Sequence, residues 1–217
     1  METSDKFMFV NIREYLAQGD NEKVGESELL GIISDFSCPK NPDVEHFLKK
    51  NSIEFTKKNQ SVTYLVLDMD DGALVGYFTI AIKPLTVRDE TVSNTVKRKI
   101  KRISEFDELT NTYTMSAYLI AQIGKNYTND AYKRIAGSEL LELAWSVIED
   151  MQYMGGGMVV FLEANDVESL LSFYQENKFR QFDTRQTISG TDDTHELVHS
   201  AITDFSPSSF FMAANSA

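Results

Sequence analysis

The sequence contains little of what would mark a secreted or membrane protein. Its single cysteine, Cys38, excludes an internal disulfide framework in a chain of 217 residues and predicts a reducing compartment. No apolar run approaches the roughly 18 residues that span a bilayer, and the first residues lack a basic-then-apolar signal pattern. The 4 prolines and 11 glycines are scattered and form no linker. We therefore expect one cytoplasmic domain over 1–217, whose end at 206–217 is either a loose tail or one pinned by its aromatic pair.

Positive charge is also scarce, because 33 acidic residues outnumber 21 basic ones and give a net charge of −12. Such a balance repels polyphosphate chains at long range but leaves room for a local basic patch. One segment, Lys83–Arg102, carries seven basic and two acidic residues. It predicts either a solvated helix face or an electrostatic landing surface for RNA or another phosphate.

Hydrophobic periodicity and turn residues predict an α+β protein with a mixed sheet. Helices are expected after Asn41-Pro42, over Thr95–Ser104, after Gly137 and after Asp166. Strands are expected at Phe7–Ile12, Val62–Leu67, Leu74–Ile82, Thr112–Gly124, Met158–Leu162, Phe179–Gln186 and Glu196–Phe205. The Asp-Gly turn between the second and third strands predicts an antiparallel hairpin.

A strand, a loop and a Leu-rich helix follow one another between Tyr118 and Trp145. The N-terminus of a helix offers unpaired N–H groups and a positive dipole end, which attract anions. Gly137 allows a ligand close to the backbone, and Lys133 and Arg134 add positive charge. The segment predicts either a pyrophosphate site or an ordinary capped helix with solvated Lys and Arg side chains.

A second segment, Glu163–Asp166, leads from a strand into the helix that carries Tyr174. Strand ends followed by helices are common places for ligands in sheets of this kind. Taken alone, the position of Tyr174 favours an aromatic residue that packs in the core over a catalytic one. His195 and His199 stand four residues apart in a predicted strand without a third ligand, so we predict no metal site.

The two segments, in this order and separation, resemble the GNAT superfamily of acyl-CoA-dependent N-acetyltransferases. The family's phosphate loop, (Arg/Gln)-x-x-Gly-x-(Gly/Ala) before a Leu-Leu pair, aligns with Tyr132–Gly137 ahead of Leu140-Leu141. Gly137 matches, whereas Tyr132 and Ile135 depart from the pattern. The later Tyr-x-x-x-Gly-Phe signature aligns with Tyr174–Phe179, where a lysine, Lys178, replaces the glycine.

The resemblance implies a GNAT-like, mostly antiparallel sheet with helices on both faces, split by a V-shaped cleft for the cosubstrate acetyl-CoA. Gly124 and the strand Met158–Leu162 would flank that cleft. The implied cofactor-binding residues are Ile123, Gly124, Lys125, Lys133, Arg134, Ile135, Ala136, Gly137, Ser138 and Asn165.

The resemblance also implies a direct attack by a primary amine on the thioester. Tyr174 would act as the general acid that protonates the departing thiolate. Glu163, at the end of a strand, is the candidate general base, acting directly or through water, or else a surface carboxylate with no role in the reaction.

The N-terminal half is similar to the GNAT toxins of toxin–antitoxin pairs, and the likeness covers roughly residues 30–205. It is carried by Asp35–Cys38, Val44–Leu48, Ser61–Val66 and Leu74–Ile80. This likeness implies tRNA or an antitoxin as a partner. We also expect an amine-bearing substrate and a homodimer, and no membrane partner. Three functions stay open: a general N-acetyltransferase, a toxin that acetylates aminoacyl-tRNA, and a degenerate, non-catalytic module that binds CoA or a protein.

Overall fold

A computed structural model describes residues 6–16, 22–189 and 194–204, with side chains at 6–16 and 25–181. The predicted tail at 206–217 lies outside these ranges. The chain divides into two compact units, the first made of Met1–Ile82 and Ile120–Met154, the second of Lys83–Leu119 and Gly155–Ala217. Each is described by itself below, and the single domain stays a prediction.

The first unit contains helices around a hairpin-based sheet. Its elements are β1 (Phe7–Asn11), α1 (Arg13–Leu16), α2 (Glu22–Ser34), α3 (Pro42–His46), α4 (Ser52–Lys57), β2 (Val62–Asp68), the start of β3 (Leu74–Arg88), the end of β5 (Thr112–Lys125) and α6 (Gly137–Gly155). A 3₁₀ segment, Thr128–Lys133, connects β5 to α6.

The predicted hairpin is confirmed, with β1 added at its edge. Strand β2 pairs antiparallel with β1 and with β3, and a bulge falls between Val66 and Leu67. The turn contains Gly72 at φ 72°, a backbone conformation that favours glycine. Alternating β-rich runs around an Asp-Gly turn were sufficient to predict this part of the fold.

The helix after Asn41 begins as predicted, because the Asn41 side chain accepts hydrogen bonds from the N–H groups of Asp43 and Val44. A π-helical turn, Phe47–Asn51, then separates α3 from α4. The sequence predicts Val44, Phe47, Leu48 and Phe55 on one face of a continuous helix, and for Phe55 this prediction is wrong. The extra residue of a π turn rotates the following face, so Phe55 is 36% exposed.

One hydrophobic cluster holds this unit together. Its buried members come from α2, α3, the π turn, the hairpin and the segments that connect these elements: Ile12, Leu29, Ile33, Phe36, Cys38, Val44, Leu48, Leu65, Leu74 and Tyr77. Burial raises the pKa of the Cys38 thiol, in keeping with a small core residue. Helix α6 buries Leu140, Leu141, Ala144, Val147 and Ile148, which repeat at helical spacing in the Leu-rich helix predicted from the sequence.

The second unit contains the rest of β3, α5 (Asn94–Ile100), β4 (Glu105–Asp107), most of β5, β6 (Val159–Asn165), α7 (Glu168–Glu176), β7 (Arg180–Ser189) and β8 (Thr194–Asp204). Strand β4 pairs with β5, and β8 pairs with both β6 and β7, all antiparallel. Its core joins Tyr113, Met115 and Ala117 of β5 to Val159 and Phe161 of β6.

Two helices of this unit differ from the prediction. Helix α5 ends at Ile100, so Ile103 is 38% exposed and does not face the core. Helix α7 has Val167 at its N-cap, with no side-chain hydrogen bond to the helix. The predicted cap, Asp166, stands one residue too early because the N-cap is the residue directly before the first helical one.

Every helix in the described ranges is too short or too polar to cross a bilayer. The cytoplasmic location stays a prediction.

Candidate functional site

Two of the sequence-predicted cofactor segments meet in the first unit. The ammonium group of Lys125, the last residue of β5, donates a hydrogen bond to the carbonyl of Ile135 at 3.1 Å. Segment Ile123–Lys125 is thereby joined to the loop that enters α6. A strand end and a helix start are thus brought to one place, as a site for pantetheine and diphosphate would require.

A buried asparagine, Asn126, shapes the same loop and was missed by the sequence analysis. Its side-chain oxygen accepts from the N–H groups of Ser37 at 3.0 Å and Thr128 at 3.1 Å. Its amide donates to the carbonyl of Leu74 at 2.8 Å. Three connections therefore fix the chain directly after β5, and nothing in the local sequence distinguishes this asparagine from a surface one.

Some of the backbone N–H groups around the start of α6 already donate hydrogen bonds within the protein. That of Arg134 donates to the carbonyl of Ala131 at 3.0 Å, and that of Ala136 donates to a carboxylate oxygen of Glu139 at 2.6 Å. The N–H groups of Gly137 and Ser138 lie in the first helical turn, where an α-helix supplies no partner for them. These two are the best placed to receive an anion at the positive end of a 19-residue helix.

The two predicted cations of the loop are both paired with aspartates. The ammonium group of Lys133 lies 2.8 Å from Asp130, which raises its pKa. The guanidinium of Arg134 lies 2.8 Å from Asp71 and 3.3 Å from Asp68. Their positive charges are therefore shared with local carboxylates.

The departures from the family motif have a structural basis. Tyr132 stacks on Tyr127, with ring centroids 4.5 Å apart and planes inclined by 20°. The ammonium groups of Lys125 and Lys133 each lie 5.7 Å from the centroid of Tyr132. Ile135 is 1% exposed, so its side chain packs inside and is not displayed at the helix start.

Lys125 is the cation that stands apart from these aspartate pairs. Burial lowers its pKa, and the nearby charge of Lys40 lowers it further, while Glu139 acts in the opposite direction. A bound anion would supply this ammonium group with a negative counter-charge.

Close packing explains the glycine at position 124. A Cβ atom there would lie 2.5 Å from Cγ1 of Val44, well inside normal contact. A Cβ on Gly76 would lie 2.9 Å from the carbonyl oxygen of Gly124. The backbones of β3 and β5 thus approach closely beside the loop.

The candidate acid, Tyr174, lies on α7 in the second unit. It is 8% exposed and packs against Phe173 and Phe179, with ring centroids 5.2 Å and 5.8 Å away. Burial raises its pKa to about 12, so the hydroxyl stays protonated at neutral pH. A general acid needs that protonation state.

The residue that replaces the family glycine, Lys178, adopts a left-handed conformation at φ 70°. The N–H of Phe179 donates to the carbonyl of Tyr174 at 2.9 Å, and the N–H of Lys178 donates to that of Gln175 at 3.1 Å. This is the Schellman arrangement that usually ends with glycine. The chain keeps the helix end of the motif although the glycine is missing.

Glu163 and Asn165 lie at the end of β6 in the same unit as Tyr174. Glu163 is exposed and stands opposite Ser200, while Asn165 stands opposite Val198. The carbonyl of Asn165 accepts from the N–H of Val167 at 2.7 Å. The predicted site residues are thus divided between the units, with the loop residues in the first and these three in the second.

The prediction that no metal site is present concerns His195 and His199. His195 and His199 lie in β8, and their side chains are outside the described set. Among the residues whose side chains are described, no group of three His, Cys, Asp or Glu could hold a metal ion.

Comparison with known proteins identifies the fold. No family model matches the chain, and no curated protein matches it in sequence. Among solved structures, the toxin AtaT with acetyl-methionyl-tRNAfMet aligns at a TM-score of 0.61 and 13% identity, over 96% of this chain and 99% of that one. A Tyr-to-Phe mutant of KacT aligns at a TM-score of 0.57 and 14% identity, over 90% of this chain and 95% of that one.

A third structure is a Tyr-to-Phe mutant of AtaT with acetyl-CoA and the C-terminus of the antitoxin AtaR. It aligns at a TM-score of 0.57 and 11% identity, over 97% of this chain and 99% of that one. This chain has the GNAT fold. The predicted α+β class and mostly antiparallel sheet are confirmed with it. At these identities the shared property is the GNAT fold, whereas the cosubstrate cleft, the helices on both faces and the residue roles stay predictions.

Proposed function

We propose that the protein is an N-acetyltransferase that moves the acetyl group of acetyl-CoA to a primary amine. The observation that carries this proposal is the hydrogen bond from Lys125 to Ile135, within a GNAT fold. It joins, at one helix start, the two segments assigned to pantetheine and diphosphate. The AtaT structure that contains acetyl-CoA supports the choice of cosubstrate.

The residues at this helix start fit a diphosphate. The N–H groups of Gly137 and Ser138 would donate to its oxygens, and Lys125 would supply the nearest positive charge. Ile123 and Gly124 would pair with the pantetheine. Lys133, Arg134, Ile135 and Ala136 would form the rest of the loop, with Asn165 contributing from β6. Glu139 opposes binding, since its carboxylate already occupies the N–H of Ala136.

In the proposed reaction a neutral amine attacks the thioester carbonyl, so that a C–N bond forms and the C–S bond breaks. The amine loses a proton to Glu163, directly or through water, and the sulfur gains one from Tyr174. The acetyl group is transferred without a covalent enzyme intermediate.

The pKa of Tyr174 sets the energetic demand on this step. At about 12 it lies above that of a thiol near 8.5, so donation to a free thiolate is uphill by roughly 5 kcal/mol. Enzymatic barriers of roughly 13–17 kcal/mol correspond to typical turnover rates. The cost therefore leaves Tyr174 usable as an acid, and solvent would reprotonate it afterwards.

The test combines calorimetry with a thiol-release assay on a panel of amines. We expect acetyl-CoA binding and turnover with at least one amine, and a fall in kcat of about 100-fold or more for Tyr174→Phe. Tyr153→Phe, at an exposed position, is the matched control and should behave like wild type. Binding without turnover would support the non-catalytic module instead, and absence of binding would refute the proposal.

A second candidate, acetylation of aminoacyl-tRNA, is favoured by the basic segment. Helix α5 has Lys97, Arg98 and Lys99 in its last turn, with Lys101 and Arg102 exposed just beyond. Lys97 is 2.6 Å from Asp89, whereas Lys101 and Arg102 are exposed and could meet an incoming phosphate chain. The AtaT structure with acetyl-methionyl-tRNAfMet supports the same idea.

A cleft of about 470 Å³ adjoins these residues and offers one exposed aromatic face. Its lining residues are Asp89, Lys101, Ser104, Phe106, Asn111 and Tyr113. Phe106 lies against Tyr113 with centroids 4.7 Å apart and is 45% exposed, so a base could stack on it.

Filter binding of tRNA across a range of salt concentrations tests this second candidate. The pair Lys101→Glu/Arg102→Glu should abolish binding, and the equal charge change Lys57→Glu/Lys58→Glu should not, since those lysines lie outside the basic segment and are each paired with a glutamate. No tRNA binding by the wild type at low salt would remove this candidate. An antitoxin and a homodimer stay predictions.

A further inference from the structure

Three segments of the first unit are tied together at Arg134. Its guanidinium Nη1 donates to both carboxylate oxygens of Asp71 at 2.8 Å and to Asp68 at 3.3 Å. Its carbonyl accepts from the ammonium group of Lys6 at 2.9 Å, and its N–H donates to Ala131 at 3.0 Å. Side chain and backbone of this residue are both held in place.

The buried carboxylate of Asp68 explains why the Arg134 side chain is held at the β2–β3 turn. Asp68 is 3% exposed, and a buried carboxylate needs a counter-charge and hydrogen bonds. The N–H of Asp70 donates to it at 3.1 Å, while the backbone of Asp68 bonds to Gly72 at 2.8 Å and to Ala73 at 2.9 Å. Arg134 therefore supplies the positive charge for a well-ordered β2–β3 turn.

The same contacts disfavour Arg134 as a phosphate ligand. Two carboxylates face one guanidinium, so a diphosphate that approached the side chain would meet local negative charge. Withdrawal of the guanidinium would also leave Asp68 buried and unpaired.

We propose that Arg134 is a positioning residue. It fixes the loop before α6 to the β2–β3 turn, so that the N–H groups of Gly137 and Ser138 are already oriented for a diphosphate. Its side chain stays on Asp68 and Asp71 when acetyl-CoA binds. This proposal rests on the proposed function for its ligand, but the anchoring itself can be measured without ligand.

The substitution Asp71→Asn gives opposite signs for the two possible roles. If Arg134 bound phosphate, loss of a competing carboxylate would free it and tighten acetyl-CoA binding. If Arg134 positions the loop, the same change loosens the anchor and weakens binding. Asp71 is half exposed, so this variant should fold even if a variant of Arg134 does not.

The experiment measures the Kd of acetyl-CoA by calorimetry for Arg134→Gln, Arg134→Lys, Asp71→Asn and the double variant Arg134→Gln/Asp71→Asn. We expect each Gln or Asn variant to weaken binding about 3- to 10-fold, the double variant to resemble Arg134→Gln, and Arg134→Lys to recover part of the loss. Lys58→Gln, which breaks an exposed pair with Glu54, should match wild type. Tighter binding by Asp71→Asn, or additive losses, would overturn the proposal.

Hydrogen exchange of the unliganded protein separates this outcome from failure of the proposed function. The amides of Ile135–Glu139 should exchange faster in Arg134→Gln and Asp71→Asn than in wild type and Lys58→Gln. Unchanged exchange would contradict the positioning role. If the wild type binds no acetyl-CoA but exchange responds as expected, the proposed function fails while the anchor stands.

Discussion

The ammonium group of Lys125 lies 3.1 Å from the carbonyl oxygen of Ile135, which it donates to. This bond closes the loop between the end of β5 and the start of α6. It places a partly buried positive charge beside a helix N-terminus, where the two cations of the loop, Lys133 and Arg134, are paired with aspartates. We propose that Lys125, at the end of the preceding strand, supplies the charge that the family motif takes from its first position.

Replacement of Lys125 by Met should weaken acetyl-CoA binding about tenfold, because a cation beside the start of α6 is lost while the aliphatic stem is kept. Calorimetry at low and moderate salt measures the effect, which should shrink as salt rises. Lys58→Met, at an exposed position directly after α4, is the control. An unchanged Kd for Lys125→Met would place the diphosphate elsewhere.

Replacement of Glu139 by Gln should tighten acetyl-CoA binding about 2- to 5-fold. The amide oxygen can still accept from the N–H of Ala136, but the negative charge that repels a diphosphate is gone. The helix should lose about 0.5 kcal/mol of stability, because a negative charge in the first turn interacts favourably with the positive end of the helix dipole. Glu142→Gln, one turn further along, is the comparison, and equal effects from both would contradict the explanation.

Replacement of Lys178 by Gly should stabilise the protein by about 1 kcal/mol. Lys178 holds a left-handed backbone at φ 70°, which strains any residue with a Cβ atom. Urea unfolding measures the change. The neighbouring Asn177 has an ordinary φ of −89°, so Asn177→Gly should destabilise instead. Destabilisation by both substitutions would show that the helix end is not strained.

The pKa of Tyr174 predicts a specific loss of stability at alkaline pH. Because the folded pKa is about 12 and the unfolded value is near 10, the neutral hydroxyl favours the folded state fully below pH 10. This contribution falls as the pH rises from 10 through 12, by up to about 2.7 kcal/mol. Tyr174→Phe lacks the titrating group, so its stability should fall less than that of wild type over this range.

Parallel loss of stability in the two proteins would show that Tyr174 is not buried in solution. The same pKa also predicts that kcat will show no descending limb from this group below about pH 10, because the acid stays protonated.

Local patterns predicted most of the elements, since their determinants lie within a few residues. The Asp-Gly hairpin, the Asn41 cap and the Leu-rich face of α6 all follow from period and turn chemistry. Two of the errors came from one-residue shifts. The π turn at Phe47–Asn51 rotated a face, and the N-cap of α7 is Val167, one residue after the expected Asp166.

The candidate site was only partly predictable, because its connections join residues far apart in the chain. The loop and its helix were visible in the sequence. The contact from Arg134 to Asp71 spans 63 positions, and Asn126 reaches back 89 positions to Ser37. No local pattern reveals such partners, so a cation that the sequence offered to a phosphate proved to be paired with the β2–β3 turn.

The most direct measurement is a crystal structure of the protein with acetyl-CoA bound. The account predicts a diphosphate on the N–H groups of Gly137 and Ser138, with Arg134 still on Asp71 and the hydroxyl of Tyr174 within hydrogen-bonding distance of the thioester sulfur. A diphosphate bound away from the start of α6, or a Tyr174 hydroxyl remote from the sulfur, would contradict the proposed acetyl transfer.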